Sequence, residues 1–392
     1  MANADNRGKA AGQPAVDLIV AGGGVMGLWT ALFAARQGLS VHLAERRTIG
    51  AGASGGVLGA LMPHLPDRWN AKKAFQFAAL VSLEAEIAAL EAETGLSAGY
   101  RRSGRLIPLA KPHNRAIALG HAQDALSVWA APGRAFAFEV LDATPFAGWP
   151  AGAAMACGLV HDRLAARLSP RALLAALRAA LMRLPNVAIR EGAGLRSLDP
   201  ATGLARFDDG AALVFGHCVL SAGVETFALL APLAPPLARP VGSAVKGQAA
   251  LLKASVDPAL PVIFADGLYI VPHEDGLVAV GSTSENGFAD PFGTDGLLDA
   301  LVAEARQMAP VLAEAPIVER WAGLRPKAIG REPMVGRHPD HPNVSLMTGG
   351  FKVSFGLAHE LARAVVDEMK GGTLSVPPSF TVAAHFEEAA RV

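Results

Sequence analysis

Three glycines and one glutamate near the start of the chain have the types and the spacing that bind a dinucleotide. Gly22, Gly24 and Gly27 form a G-x-G-x-x-G pattern, and Glu45 follows about 20 positions later. In this pattern the first glycine permits a tight turn, the second lets the backbone approach a pyrophosphate, and the third allows close packing of a helix on a strand. The glutamate accepts a hydrogen bond from a ribose hydroxyl. These residues predict a dinucleotide-binding site.

The glycines can bind phosphate only if a strand precedes them and a helix follows. Residues 16–21 predict a strand, the run that ends at Gly38 predicts a helix, and residues 41–45 predict a second strand. The phosphates would then lie at the unpaired N–H groups of the helix N-terminus. A second glycine-rich segment, residues 50–59, contains Ser54 and is placed to wrap another part of the cofactor. The alternative is a glycine-rich strand, turn and helix that binds no ligand.

The composition favours a folded protein that neither binds nucleic acid nor spans a membrane. The chain has 392 residues, of which 51% are hydrophobic and 18% charged, enough for one large or two ordinary domains. Lysine plus arginine equal aspartate plus glutamate at 35 each, so no net charge attracts nucleic acid. The first fifteen residues lack the apolar segment of a signal peptide, and no apolar run reaches the roughly 20 residues of a membrane helix. We therefore expect a cytoplasmic protein with no integral membrane segment.

The cysteine and histidine spacings do not indicate a metal site. Cys157 and Cys218 are far apart and lack C-x-x-C spacing, so each is expected to be a structural thiol rather than part of a disulfide, a zinc site or a redox dithiol. His338, Asp340 and His341 lie in a proline-rich stretch without the helical spacing of a zinc motif, which predicts a surface loop. We expect no bound metal.

Further along, the chain alternates predicted helices and strands. The predicted helices span residues 71–93, 170–184 and 356–370. The predicted strands span residues 105–109, 186–190, 204–208, 218–223, 247–252, 268–272, 277–281 and 344–347. A turn at residues 273–276 joins two of these strands, which predicts a hairpin in an antiparallel sheet. The strand that ends in Ala222 and Gly223 is a second place where the backbone can approach a nucleotide.

Seven segments, in the same order, resemble the family of FAD-dependent amino-acid and amine oxidases that includes glycine oxidase, D-amino-acid oxidase and monomeric sarcosine oxidase. They are residues 22–27 with 45–46, 52–56, 245–248, 269–272, 280–283, 321–326 and 349–352. The resemblance covers nearly the whole chain. It implies an α/β fold: a Rossmann-like FAD-binding domain assembled from discontinuous segments, and an α+β substrate domain with a mostly antiparallel β-sheet. The implied boundaries are residues 1–82, 160–228 and 322–392 for the FAD-binding domain and residues 83–159 and 229–321 for the substrate domain.

The motifs and the same resemblance together predict a set of cofactor-binding residues, of which Met62 and Phe351 could instead pack in the core. They are Gly22, Gly24, Val25, Met26, Gly27, Glu45, Arg46, Ser54, Gly55, Gly56, Met62, Ala222, Gly223, Arg325, Gly349, Gly350, Phe351, Lys352 and Val353. The cysteine-containing segment that tethers FAD in sarcosine oxidases has no counterpart near residues 310–330, so the FAD is expected to be non-covalent. The oxygen-activating lysine of sarcosine oxidase has no counterpart near Ala279, which leaves the electron acceptor open.

Four side chains are predicted to be catalytic or to bind the substrate, three of them from the resemblance and His64 from its position just after the glycine-rich segment. Arg325 resembles the arginine that receives the substrate carboxylate, because a planar guanidinium suits two-point binding, and its alternative is a structural ion pair. Lys352 stands where relatives have a second carboxylate-binding cation, and it could instead polarise the flavin or face solvent. Tyr269 could donate its hydroxyl to the carboxylate or pack as a core aromatic. His64 could reach the flavin or the substrate, or make a local hydrogen bond.

The predicted function is an FAD-dependent oxidoreductase that oxidises the C–N bond of a small amino acid or secondary amine to an imine by hydride transfer to the flavin. The substrate class is that of glycine, sarcosine or a D-amino acid, and the electrons pass to oxygen or to another acceptor. A second hypothesis keeps FAD but oxidises a 2-hydroxy acid, or passes the electrons to a quinone. A third is a nicotinamide-binding or non-catalytic nucleotide-binding module, because the opening motif alone does not distinguish FAD from NAD. The expected partners are a small carboxylated amine and, as an open option, further copies of the chain in a homo-oligomer; no nucleic acid is expected.

Overall fold

The computed structural model describes residues 15–391, so most of the segment that was expected to lack a signal peptide lies outside the described residues. Within residues 15–391 the α-helices are α1 Val25–Arg36, α2 Ala71–Thr94, α3 Pro112–Val128, α4 Pro170–Met182, α5 Glu225–Leu230, α6 Gly296–Met308, α7 Ser354–Met369 and α8 Val382–Ala390. The strands of the same range are β1 Val16–Ala21, β2 Val41–Glu45, β3 Ala60–Leu61, β4 Arg105–Pro108, β5 Ala130–Ala131, β6 Arg134–Ala135, β7 Phe138–Leu141, β8 Leu159–Asp162, β9 Ala166–Arg167, β10 Val187–Glu191, β11 Leu195–Asp199, β12 Leu204–Phe207, β13 Ala212–Leu220, β14 Gly242–Lys253, β15 Val262–Ala265, β16 Leu268–Pro272, β17 Leu277–Gly281, β18 Ile317–Ala328, β19 Met334–Arg337 and β20 Val344–Thr348.

The first sheet contains the predicted βαβ unit. Its parallel strands run in the order β10, β2, β1, β13 and β20. Strands β11 and β12 extend it in antiparallel fashion, and β19 pairs antiparallel with β20. The strands come from three separate stretches of the chain, residues 16–45, 187–220 and 334–348. The prediction of a Rossmann-like sheet assembled from discontinuous segments is therefore confirmed.

Helix α1 is buried along nearly its whole length, because it packs against the sheet and against helices α4 and α7. Gly27 makes this packing possible. A Cβ built on Gly27 would lie 2.0 Å from the carbonyl oxygen of Gly22 and 2.8 Å from Oγ of Ser221. The third glycine of the pattern therefore sets how closely the helix approaches the strands, as the sequence predicts.

The second sheet is mostly antiparallel. Its order is β18, β14, β17, β16, β15, β4, β8 and β7, and every pairing is antiparallel except that of β15 with β4. Ala249 lies opposite both Gly281 and Trp321, and Gly281 lies opposite Tyr269. Residues that lie opposite one another, or two apart on one strand, point to the same face of a sheet. Tyr269, Trp321 and Arg325 therefore share one face.

Several elements differ from the prediction in extent. Strands β13 and β14 are longer than predicted, and helices α3 and α6 and strand β18 were not predicted as elements. Strand β18 continues through residue 322, where one expected domain boundary lies, because all of it pairs with β14. The division into domains at the stated boundaries stays a prediction.

The remaining sequence expectations concern membrane, metal and thiol chemistry. Within residues 15–391, no helix is both long and apolar enough to cross a membrane, and no group of three His, Cys, Asp or Glu side chains is arranged to hold a metal ion. Cys157 and Cys218 are both free thiols. The prediction of a surface loop is wrong at His338, which is buried because its ring packs against His341 and Phe386.

Candidate cofactor and substrate site

A cavity extends from the carboxyl ends of the strands of the first sheet to the face of the second sheet that carries Tyr269, Trp321 and Arg325. Most of the predicted site residues line it: Gly22, Gly24, Val25, Met26, Glu45, Arg46, Ser54, Gly56, Met62, His64, Ala222, Gly223, Tyr269, Arg325, Phe351, Lys352 and Val353. The structure thus brings together residues from the βαβ unit, the glycine-rich segment and the second sheet. It does not place Gly27, Gly55, Gly349 or Gly350 on the cavity surface.

The N-terminus of α1 opens into this cavity. Gly24 is its N-cap and supplies no side-chain cap, and the N–H of Val25 donates to Oγ of Ser54 at 3.1 Å. Gly22 has a φ of 113°, which side-chain-bearing residues rarely adopt, and a Cβ there would lie 2.5 Å from the carbonyl oxygen of Ser221. Beyond Val25, the first-turn N–H groups of α1 receive no bond from an N-cap side chain, and such groups beside a serine hydroxyl suit an anion such as a pyrophosphate.

Glu45 ends β2 at the same end of the cavity. Its Oε2 accepts from the N–H of Gly23 at 2.7 Å, and its Oε1 accepts from the N–H of Arg47 at 2.9 Å. These two bonds fix the carboxylate where a ribose hydroxyl would lie beside the pyrophosphate. Arg46 is held differently, because Nε pairs with Asp208 and Nη1 with Glu225, each at 3.0 Å. The residues at this end fit the phosphate and ribose groups of a dinucleotide.

The four predicted glycines that do not line the cavity lie behind its lining residues, where they allow close packing or a turn of the backbone. A Cβ on Gly55 would lie 2.1 Å from the carbonyl oxygen of Gly50, and one on Gly350 would lie 2.5 Å from Cε of Met26. Gly349 has a φ of 74°, in the left-handed region that favours glycine. Each glycine therefore permits a close approach or a turn, and none presents its own surface to a ligand.

Arg325 projects from β18 into the opposite end of the cavity. Its Nη1 donates to the carbonyl oxygen of Thr283 at 3.0 Å. Within residues 15–391 it has no carboxylate partner, since the nearby Glu285 pairs with Lys246 instead. Burial lowers the pKa of Arg325 to about 10, which still leaves the guanidinium charged at neutral pH. The arginine is therefore not a structural ion pair, and its other donors are free to bind an anion.

Tyr269 lies on the same sheet face, between two cationic side chains. Burial raises the pKa of its hydroxyl, while the charges of Arg105 and Arg325 oppose that shift. The ring packs on Phe264 with centroids 4.8 Å apart. The phenol stays protonated at neutral pH and can donate a hydrogen bond into the cavity.

Lys352 and His64 complete the predicted set. The side chain of Lys352 is exposed to the cavity, with Nζ 5.6 Å from the ring centre of Phe351. Partial burial and the charge of Arg325 lower the pKa of Lys352. Burial, with Lys72 and other cations nearby, lowers the pKa of His64 to about 4. His64 is therefore a neutral imidazole at neutral pH. Lys352 forms no salt bridge within residues 15–391, and it lies close enough to Arg325 for the two charges to interact.

Sequence reasoning missed several cavity residues. They include Gln76, Arg105, Ser282, Phe292 and Trp321. Arg105 is the most informative of these, since it is only 5% exposed and its Nε lies 2.7 Å from Oδ2 of Asp162. The available signal was an arginine at the start of the apolar strand that follows Gly104, the same combination of charge and apolar context that marked Arg325.

Comparison with known proteins agrees with this geometry. A family model described as FAD dependent oxidoreductase matches residues 17–366. A glycine oxidase from Pseudomonas aeruginosa is 30% identical over 92% of this chain and 97% of its own length. A glycine oxidase from Pseudomonas putida is 34% identical over 54% of this chain, a match that spans only 57% of that relative. The crystal structure of glycine oxidase from Geobacillus kaustophilus superposes with a TM-score of 0.81 over 94% of this chain and 99% of that one, at 20% identity, and therefore supports the fold.

Proposed function

The chain belongs to the family of FAD-dependent oxidoreductases, and from that premise we propose that it oxidises the C–N bond of a small carboxylated amine to an imine. It is an FAD-dependent amine or amino-acid oxidoreductase in general terms, and the proposal narrows the substrate to the class of glycine, sarcosine or a D-amino acid. The observation that carries the proposal is the charged guanidinium of Arg325 on the cavity wall, which has no carboxylate partner within residues 15–391. A carboxylate is the natural partner of such a group.

The nucleotide end of the cavity supports FAD as the bound cofactor. The uncapped N-terminus of α1 with Ser54 suits the pyrophosphate, and Glu45 suits the ribose. Neither Cys157 nor Cys218 lines the cavity, which supports a non-covalent cofactor. When bound, FAD supplies the two-electron acceptor for the oxidation.

The residues at the other end would position the substrate. Arg325 would hold the carboxylate by two parallel hydrogen bonds and so fix which Cα hydrogen faces the cofactor. Tyr269 would donate a further hydrogen bond to the same carboxylate. The positive charges of Arg325 and Lys352 favour the neutral form of a nearby amine, because like charge disfavours its protonation. The amine nitrogen would release its proton to water, the Cα–H bond would break with its electron pair leaving towards the acceptor, and water would then hydrolyse the imine.

The visible spectrum of the purified holoenzyme tests this proposal. Under anaerobic conditions we expect the flavin bands to bleach on addition of glycine, sarcosine or a D-amino acid. Bleaching by D-lactate and by none of the amines would replace the C–N oxidation with oxidation of a 2-hydroxy acid. Admitting air to the bleached enzyme then identifies the acceptor: rapid return of colour indicates oxygen, and a need for an added quinone indicates a dehydrogenase.

A further inference from the structure

The substrate end of the cavity carries more positive charge than one carboxylate requires. Arg105, Arg325 and Lys352 line it. The carboxylates that line the cavity within the described residues, Glu45 and Glu225, lie at the nucleotide end, where they bind backbone N–H groups and Arg46. Behind the substrate end, Asp162 pairs with Arg105, and the nearby Glu285 pairs with Lys246 rather than with Arg325.

Asp162 holds the Arg105 side chain in position but does not engage all of its N–H donors. A single carboxylate oxygen, Oδ2 of Asp162, lies 2.7 Å from Nε and 2.6 Å from Nη2. The other oxygen, Oδ1, is committed to the N–H groups of Leu164 and Ala165 at 3.0 and 2.8 Å. Nη1 of Arg105, by contrast, makes no hydrogen bond or ion pair within residues 15–391, and the side chain lines the cavity. A guanidinium that lines a cavity with donors the protein does not engage is suited to bind an anion there.

The register of the sheet brings Arg105 to the same face as the substrate anchor. Arg105 lies opposite Val262 on the neighbouring strand, and two residues later on that strand Phe264 lies opposite Tyr269. Arg105 and Tyr269 therefore point to the same side. In the order of the strands, β16 with Tyr269 lies between β18 with Arg325 and β4 with Arg105, and the charges of both arginines act on the Tyr269 hydroxyl.

We propose that Arg105 binds a second carboxylate, so that the preferred substrate is an amine that carries two carboxylates, one held by Arg325 and the other by Arg105. This proposal rests on the proposed C–N oxidation and narrows its substrate class. The guanidinium has five N–H donors in a planar fork, so it can keep Asp162 on one side and accept a carboxylate on the other. A monocarboxylate such as sarcosine would leave the Arg105 side of the cavity unused.

Two ligands without an amine test the binding directly in the holoenzyme. Oxydiacetate has two carboxylates, whereas methoxyacetate has the same ether and only one, and neither has a C–N bond to oxidise. Isothermal titration is expected to show that oxydiacetate binds at least about tenfold more tightly, since a charge-assisted pair contributes a tenfold or larger gain. Equal affinities for the two ligands would overturn the proposal.

A paired substitution removes the proposed contact without leaving a buried charge. Replacing Arg105→Met together with Asp162→Asn keeps a side-chain oxygen for Leu164 and Ala165 and removes both charges. We expect the ratio of the two affinities to fall to near one while methoxyacetate binds as before; a ratio that survives contradicts the role of Arg105. If the double variant does not fold, Arg105→Lys keeps a cation for Asp162 and should still lower the ratio through loss of the fork.

The matched control is Arg101→Met. Arg101 lies four positions away, its Nε pairs with Glu274 at 2.7 Å, and it does not line the cavity. The affinity ratio of this variant should equal that of the unaltered protein, and a reduced ratio would show that general loss of positive charge explains the effect.

Turnover of two substrates distinguishes the second-carboxylate proposal from the proposed C–N oxidation on which it rests. Iminodiacetate and sarcosine both offer a secondary amine and differ by the second carboxylate. A higher kcat/KM for iminodiacetate supports the proposal. If sarcosine is favoured, C–N oxidation stands and only the second-carboxylate proposal is overturned. If neither compound bleaches the flavin, and glycine and D-amino acids also fail, the C–N oxidation is overturned and the substrate class with it.

Discussion

The guanidinium of Arg325 lies directly over the α-carbon of Gly247 on the neighbouring strand. A Cβ built on Gly247 would be 1.9 Å from Nη1 and 2.1 Å from Cζ of the arginine. In the register of β14 and β18, Arg325 lies opposite Val245, so its side chain crosses the adjacent strand at a point two residues further along. From there Nη1 reaches the carbonyl oxygen of Thr283. Gly247 thus leaves the space that the proposed substrate anchor occupies.

Replacing Gly247→Ala should therefore displace Arg325 without removing its charge. We expect the KM for carboxylated amines to rise about tenfold or more, because two-point binding depends on the orientation of the fork, while kcat changes less. Steady-state kinetics with sarcosine or glycine measures both values. The control is Gly296→Ala at the start of α6, where an added Cβ meets no atom within 4 Å. Unchanged kinetics in the Gly247 variant would show that the guanidinium has another productive position.

Removing the anchor itself tests its proposed partner. Arg325→Ala should raise the apparent KM for carboxylated amines by about 10- to 100-fold, the range for a lost charge-assisted pair. Amines without a carboxylate, such as N-methylbenzylamine, should not lose affinity by a comparable factor. Arg320→Ala is the control on the same strand, because Arg320 pairs with the exposed Asp299. Equal effects on both kinds of amine would assign Arg325 a general electrostatic role instead.

The local parts of the site could be predicted from sequence. Strand β1, helix α1 and strand β2 follow one another without a break, so the relative positions of Gly22, Gly24 and Glu45 are set within one short segment of chain. The same holds for the hairpin of β16 and β17, whose turn residues are contiguous. Motif spacing is enough in such cases, because the physical contacts are made within one short segment of chain.

The structural roles of Arg105, Gly55 and Gly350 could not be predicted from the sequence. Arg105 reaches the cavity because β4 pairs with β15 in parallel, and no residue near Arg105 in sequence encodes that pairing. Gly55 and Gly350 carry the glycine signature of a binding loop, yet their missing Cβ atoms make room for Gly50 and Met26 rather than for a ligand. The pairing of β4 with β15 and the contact of Gly350 with Met26 join distant segments, which a single sequence does not specify; the contact of Gly55 with Gly50 lies within one loop whose conformation the motif does not give.

Glu45 provides a test of the nucleotide end. Glu45→Gln keeps the size of the side chain but removes its charge and leaves only one acceptor oxygen. That oxygen cannot accept hydrogen bonds from the N–H groups of Gly23 and Arg47 and from a ribose hydroxyl at the same time. We expect the Kd of FAD to increase about tenfold, as for the loss of one hydrogen bond to a charged group. Titration of the apoprotein with FAD, followed by flavin fluorescence, measures this change.

Glu191→Gln is the matched control for that experiment. Glu191 lies opposite Glu45 in the sheet and accepts from the N–H of Ile49 at 2.7 Å, but it does not line the cavity. Its substitution should leave the Kd of FAD within about twofold of the original value. A change of that size is smaller than the increase in Kd expected from the loss of one hydrogen bond to FAD. Equal weakening by both variants would mean that the loop after β2, rather than the carboxylate of Glu45, controls the affinity.

His273 makes the stability of the cavity wall depend on pH. Its Nε2 lies 3.0 Å from the carbonyl oxygen of Val57, which ties the hairpin of β16 and β17 to the glycine-rich segment. Burial, with Arg167 nearby, lowers the pKa of His273 to about 4. In the unfolded chain the pKa is about 6.5. Between these two values the unfolded chain binds a proton that the folded chain does not, so the free energy of unfolding falls as the pH is lowered from about 6.5 towards 4.

His273→Gln should remove that contribution, because glutamine keeps a side-chain N–H donor and does not titrate. At pH 5 the linked loss from this one histidine is about 2 kcal/mol. Urea unfolding at pH 7.5 and pH 5 should therefore show a smaller decrease in the free energy of unfolding for the variant than for the original protein, by about that amount. His113→Gln, at an exposed position of α3, should retain the full decrease. If the His273 variant also retains it, His273 is protonated in the folded protein at pH 5, and the bond to Val57 is strong enough to overcome the cost of burying the charge.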